Sequence, residues 1–233
     1  MTETTQRGAL VLVHGAWHGV WCWEDLLPAL DARGWSTSTV DLPSVSGDPD
    51  LGMYDDAKAV REHLATLDGP VTVLAHSYGG VPVSEAANTV PNVTHLIYLA
   101  AHMLQVGEAV VTPTGGPWFP PDARLLPAPE PAREIFYHDV PAQQAAKASA
   151  RLRPQSARAF TDKQTNASWQ TITSTLILCD EDRALPGVFS ERGPSMAAAV
   201  FHLPGSHSPF LSRPAELAGT LDKVAQPDHG PHR

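Results

Sequence analysis

The chain has 233 residues, 42% of them apolar and 18% charged, with a formal net charge of −9. That length and apolar share suit one domain with a sizeable core and exclude a disordered or fibrous chain. The acidic balance, without any basic run, argues against nucleic acid and anionic membrane surfaces as partners.

The opening Met1–Gly8 is polar and lacks the apolar centre of a secretory leader. No stretch approaches the roughly 20 apolar residues of a membrane span. A cytoplasmic location is therefore expected. Ala9–Val13 is a short continuous apolar run ending at His14 and Gly15, the pattern of a strand buried on both faces of a parallel sheet. From Trp23 to Arg33, apolar residues at Leu26, Leu27 and Leu30 predict a helix stopped by Gly34. A strand over Ser38–Val40 ends at Asp41. Met53 to Leu67 places Ala57, Val60, Leu64 and Leu67 on one helical face. Val71–Ala75 is a second buried run, followed at once by His76 and Ser77, and a helix is expected from Pro82 to Thr89.

Further strands are expected at Thr94–Leu99, Thr175–Cys179 and Ala199–Leu203, and a last helix at Pro214–Val224, opened by proline. Strands alternating with helices give an α/β class: a mostly parallel sheet of about six strands with helices on both faces. Residues 105–168 break this rhythm. Prolines crowd the stretch from Pro113 to Pro131, and Ala142 to Arg151 reads as an alanine-rich helix. Long insertions in compact domains are usually functional or disordered, and Trp118, Phe119, Phe136 and Tyr137 favour a packed cap over a solvated loop. The expected organisation is a core of 8–104 and 169–226, a small inserted cap of 105–168, and a disordered tail of 227–233.

The two cysteines, Cys22 and Cys179, are too few for a disulfide scaffold and have no metal-ligand spacing. Both are read as reduced thiols. Cys179 should be core, while Cys22 sits among tryptophans that could line a pocket.

The strongest chemical signal is Ala75-His-Ser-Tyr-Gly-Gly80, between a buried strand and a helix. It follows the nucleophile-elbow pattern, in which a sharp turn exposes a serine at the top of the sheet. Ala75 replaces the first glycine of that pattern, a mild departure because the turn requires a small residue there. A serine hydroxyl needs a neighbouring base. His207, in Gly205-Ser-His-Ser-Pro209 just past the last strand, is the best placed of the 11 histidines. The base needs a carboxylate to set its tautomer, and Asp182 is preferred, with Asp180 in reserve. The order Ser, Asp, His matches this type of fold. The oxyanion donors would be the N–H of Tyr78 and that of Ala16, in the loop after the first strand. Trp17, Met103, Trp118, Phe119 and Phe136 are candidates to line the substrate pocket. His14 and His18 stand four apart, but no Glu lies between them and glycines flank them, so no metal is expected.

Four blocks together resemble one family: Val13-His-Gly-Ala-Trp-His-Gly-Val-Trp-Cys-Trp23, Ala75–Gly80, Cys179–Pro186 and Gly205–Pro214. They are similar to the plant methylesterase and hydroxynitrile lyase branch of the α/β-hydrolases and its bacterial relatives. The resemblance runs from about residue 8 to residue 224 and is weak in the cap. It implies the α/β-hydrolase fold with a small cap, no cofactor, often a homodimer, the acid at Asp182 and the oxyanion donors at Ala16 and Tyr78. Lyase members of the branch carry a lysine directly after the catalytic histidine, where this chain has Ser208. The leading expectation is a serine hydrolase cleaving a small carboxylic ester. The alternatives are a cofactor-free lyase and a ligand-binding protein with low turnover.

Overall fold

The computed structural model describes residues 8–225. The expected tail of 227–233 lies outside the described residues. Six strands form one parallel sheet: β1 (Ala9–Val13), β2 (Ser36–Val40), β3 (Val71–His76), β4 (Val93–Leu99), then, after the insertion, Ser174–Cys179 and Ala199–Leu203. The insertion contributes a two-stranded antiparallel ribbon, β5 (Leu125–Leu126) with β6 (Gln155–Ser156), which makes the last two sheet strands β7 and β8. The order across the sheet is β2-β1-β3-β4-β7-β8. The chain thus leaves β1 first to one side and then to the other.

Alternation along each strand builds two apolar layers, because successive side chains point to opposite faces. Val11 and Val13 of β1 face one layer, with Val60 and Leu64 of α2 (Met53–Leu64) and Val81 of α3 (Gly80–Ala86). Leu10 and Leu12 face the other, with Leu30 of the short helix α1 (Leu27–Asp31). A near-continuous apolar strand is what burial on both faces demands. β2 differs: it is an edge strand, starts two residues earlier than expected and is only partly buried.

The expected helix from Trp23 to Arg33 is shorter. A single tight turn covers Val20–Trp23, and α1 begins only at Leu27. Pro28 explains the late start, since proline lacks an N–H and fits only a first turn. α2 stops at Leu64, where the Thr66 hydroxyl donates to the His63 carbonyl at 2.7 Å. α3 starts earlier than Pro82, directly after the turn at Ser77.

The insertion folds as α4 (Ala132–Phe136), α5 (Ala142–Ser149) and α6 (Arg158–Thr161) around the small ribbon. Its apolar faces join the sheet's two layers. Phe136, Ala145 and Ala148 pack on one side and Ala159 and Phe160 on the other. Past β7 come α7 (Gly187–Arg192), α8 (Pro209–Ser212) and α9 (Pro214–Val224), and Leu217 and Leu221 of α9 share the layer of Leu10. Cys22 and Cys179 are free and buried. Burial pushes both thiols up, and Cys22 packs in the core instead of lining a pocket.

Register aligns the strand ends. Val13 lies opposite Val40 and Ala75, His76 opposite Leu99, and Cys179 opposite Leu203. The loops that follow, holding Ala16, Ser77, Asp182 and His207, therefore gather at the carboxyl edge of the sheet. The switch point lies between β1 and β3, the usual place for a ligand crevice in open α/β sheets.

Candidate active site

Ser77 directly follows β3 in a left-handed backbone conformation, with φ of 52°. A residue with a side chain held there costs on the order of 1–3 kcal/mol, a strain that surroundings must impose. Three glycines make room for the turn. A Cβ on Gly79 would lie 2.6 Å from the His14 carbonyl oxygen, and one on Gly80 2.5 Å from that of His102. A Cβ on Gly15 would lie 2.8 Å from the Cβ of Ser77. Alanine at Gly79 or Gly15 would push the elbow and the loop after β1 apart, and alanine at Gly80 would push the elbow from the segment after β4.

His207 lies on the loop after β8, almost fully buried. Its Nδ1–H donates to Asp182 Oδ2 at 2.8 Å, which leaves Nε2 as the proton-accepting nitrogen. Asp182 Oδ1 accepts the N–H groups of Ala184 at 2.7 Å and Leu185 at 3.0 Å. Burial alone would raise this carboxyl, but His207 and the two N–H groups outweigh burial and hold it below the usual range. Asp180 is turned elsewhere, with Oδ1 2.8 Å from Nδ1 of the exposed His202. Asp139 steadies the His207 loop by accepting the Ser206 N–H at 3.1 Å while pairing with Arg213 at 2.9 Å.

His76, directly before Ser77, ties the elbow to that loop. Its Nε2–H donates to the His207 carbonyl at 2.9 Å, and the two rings stand 4.5 Å apart. Full burial, assisted by the charge of His207, drives its pKa well below the ordinary histidine value, so the ring is neutral. Among the described residues the Ser77 hydroxyl has no hydrogen-bond partner. In ligand-free sites such bonds commonly form only when substrate arrives.

The oxyanion candidates lie on the two touching segments. Tyr78 is the second residue of the turn Ser77–Gly79, where the first N–H groups of a helical turn lack an internal partner. Among the described residues no hydrogen bond uses the Ala16 N–H. The segments are joined by a buried chain of hydrogen bonds. The Trp17 N–H donates to Gln155 Oε1 at 3.0 Å, Gln155 Nε2 to Ser44 Oγ at 3.0 Å, and Ser44 Oγ to Asp56 Oδ2 at 2.6 Å. The Tyr78 hydroxyl completes it, donating to the same oxygen at 2.7 Å. His18 holds the Ala16 carbonyl through Nδ1–H at 2.7 Å and accepts the Tyr137 hydroxyl at 2.7 Å. Burial lowers its pKa to about 3. Sequence patterns give no sign of this network, because Ser44, Asp56 and Gln155 lie far apart in the chain.

Burial raises Asp56 to about 6 against the pull of Ser44 and Tyr78, from an ordinary value of 3.8. A raised acid stabilises the fold fully below its unfolded pKa, and the contribution is lost as pH rises through the folded value. Relative to Asp56→Asn, the native protein should lose about 2 kcal/mol of unfolding free energy between pH 4.5 and 7.5. Urea titrations of both proteins at the two pH values test this. Parallel losses would show that Asp56 is already ionised when buried.

Over Ser77 lies a cavity of about 390 Å³. Ala16, Trp17 and Tyr78 line one side, Trp118, Phe136 and Phe160 of the insertion the roof, and His102 and Phe189 the far wall. Of the residues expected to line it, Trp17, Trp118 and Phe136 do. Met103 does not, because its side chain turns into the core beside Ala101. Phe119 is also displaced. It lines a wider neighbouring groove that shares Trp17, Trp118 and Pro129 with the cavity. Phe160 was not anticipated, yet it is the hub of the roof, 5.4 Å from the Trp17 ring and 5.3 Å from that of Trp118.

A parallel sheet with a strained serine after its third strand and a paired histidine and aspartate beyond its last two strands defines an α/β-hydrolase architecture. A model of the alpha/beta hydrolase family matches residues 10–220, and the chain belongs to that family. Methylesterase 7 of Arabidopsis thaliana is 31% identical over 97% of this chain and 98% of its own length. A pyrethroid hydrolase of Sphingobium wenxiniae is 29% identical, covering 93% and 87% respectively. The crystal structure of the Arabidopsis methylesterase MES16 matches with a TM-score of 0.78 at 28% identity, over 94% of this chain and 98% of that one.

Proposed function

We propose that the chain is a carboxylic ester hydrolase acting on small, uncharged esters, with Ser77 as nucleophile, His207 as base and Asp182 as its orienting acid. The observation that carries this is the bonded His207–Asp182 pair behind the strained Ser77, at the floor of an apolar cavity. Homology to a methylesterase and a pyrethroid hydrolase supports the same chemistry.

Ser77 Oγ adds to the ester carbonyl while its proton passes to His207 Nε2. The carbonyl oxygen becomes an oxyanion that takes the N–H groups of Ala16 and Tyr78, each donor contributing on the order of 3 kcal/mol. Collapse breaks the bond to the alcohol oxygen, which leaves with the proton from His207. Water then attacks the acyl-serine, giving a proton to His207, and the acid departs as Ser77 regains its own. Ser208, directly after the base, is buried, so the position where lyases of this branch place a lysine offers no cation. A homodimer belongs to the same proposal, carried by the family resemblance alone, and the expected cytoplasmic location is kept with it. Among the described residues no helix is long and apolar enough to cross a membrane.

A cavity near 390 Å³ is at the small end for ligand sites. Its aromatic walls hold substrate by burial, at about 25 cal/mol per Å² of apolar area. Among p-nitrophenyl esters of two to sixteen acyl carbons, kcat/KM should therefore peak at the short end. A peak at twelve or more carbons would refute the compact pocket. Absence of turnover across the whole series would count against the hydrolase reading itself.

A further inference from the structure

His102 is the buried lining residue of the cavity whose side chain has polar atoms without an assigned role; the other unassigned group, the Trp118 indole N–H, belongs to a residue that is 56% exposed. It follows β4 after a left-handed kink at Ala100, with φ of 44°. Its backbone N–H donates to the Ser77 carbonyl at 3.0 Å, which fixes it beside the nucleophile. The ring stands edge-on to Phe189, with centroids 4.3 Å apart. The residue is only 8% exposed, its ring lies against the Ser77 backbone carbonyl, and neither ring nitrogen makes a hydrogen bond of full geometry among the described residues. Nδ1 is sealed from the cavity, so Nε2 is the ring nitrogen a bound partner can reach, and a bond there recovers the cost of its partial desolvation.

The other buried polar groups in the lining are already engaged. The Tyr78 hydroxyl is held by Asp56, and the Thr114 hydroxyl donates to the Val111 carbonyl at 3.0 Å. Ser77 is the proposed nucleophile. No Lys, Arg, Asp or Glu is among the described lining residues. A charged substrate group would enter without a counter-ion and lose its hydration. Burial holds the His102 ring neutral, with a pKa lowered to about 4. A neutral imidazole offers one N–H and one lone pair, and a hydroxyl can pair with either.

We infer that His102 is a specificity residue that selects uncharged esters carrying a hydroxyl, bound against the wall that His102 shares with Phe189. The inference rests on the ester-hydrolase reading and narrows its substrate class. A site built around a hydrogen bond discriminates against the analogue that lacks the group, because its own polar atom is then left unpaired.

The test compares methyl pentanoate with its 2-, 3- and 4-hydroxy derivatives in the native protein, His102→Phe and His102→Gln. The readout is the ratio of kcat/KM for each hydroxy ester to that for methyl pentanoate, which separates recognition from general damage. In the native protein at least one hydroxy ester should be favoured about tenfold or more. In His102→Phe that ratio should fall to within about twofold of unity, while His102→Gln, which keeps a donor and an acceptor, should retain part of it. Equal use of all four esters by the native protein overturns the inference, as does a preference that survives in His102→Phe. Labelling of Ser77 by a fluorophosphonate, with turnover of methyl pentanoate, would show that the hydrolase reading stands even then. Failure of both overturns that reading and this one with it.

Discussion

Ser77→Ala is expected to lower kcat for short esters by about 10⁶ while leaving the fold in place. Loss of the nucleophile from a triad that acts as a unit removes nearly all its chemistry, and the oxyanion donors and binding surface supply only a small residue. The side chain has no hydrogen-bond partner among the described residues, so its removal breaks no structural bond. Alanine keeps the same Cβ at φ of 52°, so the strain of the elbow is unchanged. Steady-state kinetics and an unfolding curve check both halves. Retention of more than a few per cent of native kcat would remove Ser77 from the role of nucleophile.

The second large effect is expected from Asp182→Asn, a loss of about 10⁴ in kcat. The N–H groups of Ala184 and Leu185 require an oxygen at Oδ1. An asparagine that keeps its oxygen there turns its amide nitrogen toward His207 Nδ1. That nitrogen must then accept, and the ring proton moves to Nε2, the atom that has to receive the serine proton. The turn survives and the base is held in the wrong tautomer. Asp180→Asn should stay within a few-fold of the native rate, since Asp180 pairs with the exposed His202. If Asp180→Asn is the damaging change, the assignment of the acid is wrong by two positions.

The sheet was readable from the sequence because burial on both faces leaves continuous runs such as Ala9–Val13 and Val71–Ala75. The candidate triad was readable because each member lies in the short loop after a strand, Ser77 one residue past β3, Asp182 three past β7 and His207 four past β8. Helix limits were less legible where one residue overrides apolar spacing, as Pro28 does in delaying α1. The roof was the least legible part. Composition shows that Met103 is apolar and His102 polar, but the backbone beyond the kink at Ala100 turns Met103 into the core and His102 to the cavity. Phe160 was overlooked because nothing local marks it, and its place depends on packing against Trp17, Tyr78 and Trp118. The Asp56–Ser44–Gln155 chain was invisible for the same reason.

Covalent trapping tests the central claim most directly. The native protein is treated with a fluorophosphonate, its intact mass is measured, and the modified peptide is sequenced by fragmentation. The account predicts one adduct per chain, on Ser77, formed in step with loss of ester hydrolysis and suppressed by a competing short ester. An adduct on another residue, or full hydrolysis by a chain that remains unmodified, would contradict it.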